Sequence, residues 1–148
     1  MVEMVVVVAI VGILASAVVP FMKLGEQRVK ERELRRALRD IRGGIDAYRQ
    51  AASEGRLTLN VDASGYPPHL DALTEGVPDA KSVDSKKIYF LRRIPRDPFA
   101  EPGTPLDEVW GLRSYASPPD DPKPGEDVFD VYSLSPGIGS NGVPYRDW

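Results

Sequence analysis

One histidine, no cysteine and twenty-two acids are the groups this chain has for site chemistry. A zinc site needs three or four nitrogen, sulfur or oxygen ligands. His69 stands alone, with no cysteine to join it, and reads as a surface residue. Asp120, Asp121, Glu126 and Asp127 crowd the segment PPDDPKPGED. Calcium takes several oxygens from such loops, but the spacing fits no EF-hand and a solvated loop is the plainer reading. No P-loop, nucleophile elbow or metal-hydrolase motif is present, so no catalysis is expected. Glu3 is different. It precedes Met4–Met22, a run without one charged side chain, about long enough to cross the hydrocarbon core of a bilayer as one helix. An acid at the head of such a run is costly to bury unless it meets a positive charge, in the membrane or in an assembly. A chance acid there would instead snorkel to the interface.

The elements that must position these residues follow from periodicity. Leu34, Leu38, Ile41, Ile45, Tyr48 and Ala52 recur at steps of three and four and form one apolar stripe. Glu26/Lys30, Glu31/Arg35, Arg36/Asp40 and Arg42/Asp46 are opposite charges four apart, expected on the remaining helix surface. Only Pro20 interrupts, and in a continuous helix it removes one backbone bond and kinks the axis. The pattern predicts one helix over Val2–Ser53, closed by Gly55. Three regions result: residues 1–22, an apolar membrane or filament-core segment; 23–54, the amphipathic second half of the same helix; and 55–148, a small head. Pro68 suits the first position of a short helix, His69–Glu75, ended by Gly76. Lys87–Ile94 reads as either a strand or a helical turn. Glu108–Ser117 and Val128–Ser135 are rich in β-branched and aromatic residues and are expected to pair as an antiparallel hairpin covering the stripe. Trp148 is expected to pin the terminus to the core. The fold class is therefore α+β: a long helix, apolar in its first half and amphipathic in its second, packed on a small C-terminal antiparallel sheet.

Composition narrows the function classes. The net charge of −3 argues against a nucleic-acid partner. Residues 23–55 carry nine Lys/Arg against six acids, while 97–148 carry ten acids against three Lys/Arg. A basic stalk and an acidic head attract between copies, subject to screening by salt. Disulfides are excluded, so a metal or plain packing must hold the head.

At both ends the residues resemble a known family. Glu3, the valine-rich run, Gly12–Ala15 and Pro20 are similar to the N-terminus of type IV pilins and type II secretion pseudopilins. In the head, Ile94-Pro95-Arg96-Asp97-Pro98-Phe99, Trp110-Gly111 with Tyr115, Asp130-Val131-Tyr132-Ser133, Gly142 and Asp147-Trp148 resemble the major pseudopilin of type II secretion, in the same order. The resemblance implies a non-catalytic subunit of a helical filament, extracted from the inner membrane by an ATP-driven platform together with minor pseudopilins, with its head in the periplasm. It implies that Glu3 pairs with the N-terminal amine of a neighbouring subunit, and that the helix loosens between Gly12 and Pro20. It also implies a basic leader cut after a glycine, just before an N-methylated aromatic; neither these nor the two residues due before Met1 are in this sequence.

Calcium is a further implication of the resemblance, supported by the need to order a disulfide-free, Gly-rich tail. The ligands would be a backbone carbonyl near Leu134, the side chain of Asn141 and the carboxylate of Asp147, with Ser133 or Ser140 as supplements. Calcium-binding members usually carry an aspartate where this chain has Asn141, so weaker affinity is expected. The absence of cysteine favours a pseudopilin over a type IV pilin, which usually closes its C-terminal region with a disulfide. Two non-filament readings stay open. Ala15-Ser16-Ala17 resembles a signal-peptidase site and would release a secreted protein. Lys23, Arg28, Lys30, Arg32, Arg35 and Arg36 follow the apolar run, and the positive-inside rule then favours an anchored protein with a cytoplasmic head.

Overall fold

The computed structural model describes residues 1–15, 24–84 and 86–148. Helix α1 spans Val2–Ser53, as the periodicity predicts, and is described over 2–15 and 24–53. Pro20, its expected kink and the second half of the apolar run lie outside the described residues. Among the described residues no helix is long and apolar enough to cross a membrane.

The end of α1 is set by Gly55, at φ +68°. The Gly55 N–H bonds to the carbonyl of Ala52 at 3.0 Å and the Arg56 N–H to that of Ala51 at 2.9 Å, the paired bonds of a Schellman cap. A side chain at this φ would be strained, which is why a glycine serves. The chain then runs irregularly to α2, Ala72–Glu75. This helix is shorter than the expected His69–Glu75, because residues 68–71 form bends and turns before it.

Two small antiparallel sheets follow. In the first, β1 (Val77–Pro78) pairs with β2 (Lys87–Ile88). Only the first two residues of Lys87–Ile94 are strand. Next the chain turns away, and the N–H groups of Phe90 and Leu91 both bond to the Leu73 carbonyl, at 3.0 and 2.9 Å. In the second sheet, β3 (Trp110–Arg113) and β4 (Asp130–Ser133) pair with Trp110 opposite Ser133 and Arg113 opposite Asp130. Both strands are shorter than the sequence predicts. A 3-10 turn, Leu106–Glu108, takes the start of the first.

The core lies where the stripe meets this hairpin. Leu34, Leu38, Ile41, Ile45 and Tyr48 are buried, together with Ala37 and Ala51 from the same helix. From the head come Leu57, Leu73, Ile94, Val109, Trp110, Val128, Val131 and Tyr145. Full burial of a Leu, Ile or Val side chain contributes about 1.5–3 kcal/mol. The stripe therefore supplies the helix side of nearly all the apolar stabilisation the head has.

Candidate functional site: an uncovered helix and a tail held by carboxylates

Two regions of α1 behave in opposite ways. From Met1 to Ala15 every residue is exposed, Val5 to 69 % and Val8 to 68 %. Glu3 stands among them, also exposed. A side chain added at Gly12 would meet nothing within 4 Å, so no packing among the described residues requires a glycine there. From Leu34 onward the same helix is one-faced and its apolar face is covered.

The tail after β4 is tied to the covered half by polar groups. Glu31 is only 4 % exposed. Its carboxylate accepts hydrogen bonds from the Ser140 N–H at 2.7 Å and the Ser140 hydroxyl at 2.5 Å. It accepts two more, from the Gln27 amide at 3.0 Å and the Tyr145 hydroxyl at 3.1 Å. Burial alone would raise its pKa, but the bonds from Ser140, Gln27 and Tyr145 outweigh that and hold it below its ordinary value of 4.5. Burial, reinforced by the adjacent Glu31, pushes the Tyr145 phenol up despite the opposing Gln27 bond, so it stays protonated as a donor.

Three further ties complete the attachment. Arg42 donates to the Asp130 carboxylate at 2.7 Å, to the Val131 carbonyl at 3.1 Å and to the main-chain oxygen of Trp148 at 2.9 Å. Arg35 lies over the Trp148 ring, 4.2 Å from its centroid. Asp97 is 4 % exposed; it accepts from the Ser133 hydroxyl at 2.5 Å and the Phe99 N–H at 2.8 Å. That bond joins the proline-rich loop to β4. The Trp110 indole N–H adds a bond to the Pro95 carbonyl at 2.9 Å, and Phe99 stacks on Tyr145 at 4.2 Å.

These ties correct two expected ion pairs. Glu31/Arg35 and Arg42/Asp46 are not surface pairs in this fold. Glu31 and Arg42 face the head, where buried donors and Asp130 offer better-desolvated partners than an exposed neighbour one turn away. Glu26/Lys30 and Arg36/Asp40 do pair, at 3.2 and 3.9 Å. Glu31 had one signal in the sequence. It lies three residues before Leu34, in phase with the stripe, and Gln27 lies four before it. Asp97 had none.

Three oxygen sources were expected for calcium. Leu134 leaves its side chain exposed. Asn141 Oδ1 accepts the Val143 N–H at 3.1 Å. Asp147 lies 3.8 Å from Arg146 Nε, an exposed contact. The side-chain set is one neutral amide oxygen already engaged by the protein and one carboxylate beside a cation. Among the described residues no group of three or more His, Asp or Glu side chains could hold a metal ion. Glu31 orders this tail through the four hydrogen bonds it accepts. His69 is exposed and 3.6 Å from Glu75. Asp121 bonds to Lys123 at 2.6 Å, and Asp127 accepts the Tyr115 N–H at 2.8 Å.

No protein-family model, no curated protein and no solved structure matches this chain.

Proposed function

We propose that the chain is a structural subunit of a pilus-like filament of the type II secretion pseudopilus kind, anchored in the inner membrane before assembly, with a periplasmic head. The observation that carries this reading is the contrast along α1. Residues 1–15 expose apolar side chains all round, while residues 34–51 bury theirs against the subunit's own head. An apolar surface of that extent needs lipid or other copies of itself. A bilayer before assembly and a bundle of such helices afterwards would each cover it. Glu3 then meets the N-terminal amine of a neighbour, which offsets the cost of burying its charge. The subunit's role is mechanical and requires no catalytic group. Minor pseudopilins and an assembly platform are its partners on this reading.

The anchored alternative, with a cytoplasmic head, is favoured by the basic residues after the apolar run. Protease treatment of spheroplasts separates the two. On the filament reading the head is digested from outside, and antibodies to the head decorate thin filaments in sheared fractions. A head protected until the membrane is broken supports the cytoplasmic alternative.

A further inference from the structure

One flank of α1 carries an arginine-lined groove of about 780 Å³. Its helix wall includes Arg36, Arg39, Gly43 and Gly44, and its other wall is Phe90–Arg93 with Pro95 and Arg96. Five arginines line it against two acids, Glu33 and Asp40. Arg36 reaches Asp40 only at 3.9 Å, and Arg96 is bonded to the Thr104 carbonyl at 2.7 Å. Arg39, Arg92 and Arg93 are exposed and have no ion-pair or hydrogen-bond partner among the described residues. Crowded like charges in a concave site repel one another and concentrate anions.

The opposite charge lies in the loop 118–127, where four acids face one lysine. Among the described residues two of those acids are engaged: Asp121 with Lys123, and Asp127 with the Tyr115 N–H. Asp120 and Glu126 are exposed. Asp120 shares a cleft with Arg42, Arg113 and Arg146, but each of these has another partner: Asp130, the Ser117 carbonyl and Asp147. At about 100° per residue, Gly44 and Arg42 fall on opposite sides of the buried stripe. The Gly44 edge of the groove and the acidic loop thus flank the stripe on opposite sides.

We propose that the groove receives the loop 118–127 of a second copy, with Arg39, Arg92 and Arg93 meeting Asp120 and Glu126. This rests on the filament reading and deepens it. Two different patches make a heterologous contact, which propagates into an open array rather than closing a two-fold dimer.

The chain has no cysteine, so introduced thiols report on this contact alone. The full chain carrying both Arg93→Cys and Asp120→Cys, oxidised in cells, should give a ladder of covalent oligomers. The two substitutions in separate co-expressed chains should give only a covalent dimer. Arg92→Glu with Arg93→Glu should abolish filaments, as should Asp120→Lys with Glu126→Lys, and co-expressing the two reversed chains should restore them. Filaments that persist in both reversed chains, with no ladder, would overturn the docking and leave the filament reading intact. The same holds if the arginine reversals only release the chain from anionic vesicles, which would make lipid the occupant. A wild-type chain that never self-associates would overturn both.

Discussion

A carboxylate with four donors around it is a liability as well as a tie. Removing Glu31 leaves the Ser140 N–H and the Tyr145 hydroxyl without their acceptor, and a buried polar group left unpaired costs about 1–3 kcal/mol. Glu31→Ala is expected to lower stability by about that much in chemical denaturation, with the tail after Ser133 exchanging its amide hydrogens first. The pH dependence has a definite sign. The folded pKa lies below the ordinary 4.5, so the contribution is complete above that value and is lost as pH falls through the folded value. Melting temperatures recorded from pH 6 to 3 should therefore fall more steeply for wild type than for Glu31→Gln; parallel curves would contradict this assignment. Because the carboxylate does the ordering, melts of the full chain in millimolar calcium and in chelator should superimpose. A calcium-dependent rise, lost in Asp147→Ala, would return the tail to a metal site. Glu31 was hard to read from the sequence because its spacing to Arg35 matches a surface pair. Only its phase with Leu34 hinted otherwise, and three of its four donors come from Ser140 and Tyr145, more than a hundred positions away.

Element by element, what was legible is what is set locally. The stripe from Leu34 to Tyr48 and the αL glycine at Gly55 are written in short-range spacing, and α1 follows them closely. Strands β3 and β4 were legible in kind and pairing but not in length. Where β3 begins depends on the 3-10 turn at Leu106–Glu108, and where β2 ends depends on the Leu73 carbonyl claiming the Phe90 and Leu91 N–H groups. Neither contact has a short-range signature. The pairing β1–β2 was not foreseen, since Val77–Pro78 is too short to show alternation. The element-scale prediction concerns the stripe. Ile41 is fully buried, and Ile41→Asp sets an unpaired charge in the apolar cluster of the head. Truncation to Ala at such a site costs about 2–5 kcal/mol, and the charged variant should exceed that and unfold the head, read by loss of near-ultraviolet circular dichroism. A melt like that of wild type would mean the stripe faces something other than its own head.

At the scale of the whole molecule, one chain carries a helix end that it leaves exposed and a head that it completes by itself. On the filament reading those two facts make folding and assembly separable, and the separation can be tested at Glu3. The residue is exposed and touches no part of the head's core, so its removal should leave the fold alone. In a filament its carboxylate would lie among apolar helices, where an unpaired charge costs several kcal/mol and a partner amine offsets most of that. The most direct measurement compares the sheared filament fraction from cells expressing wild type with that from cells expressing Glu3→Ala at equal membrane levels. The account predicts filaments from wild type, and a folded, membrane-resident Glu3→Ala subunit that is missing from them. Equal filament yields from the two chains, or none from wild type, would contradict it.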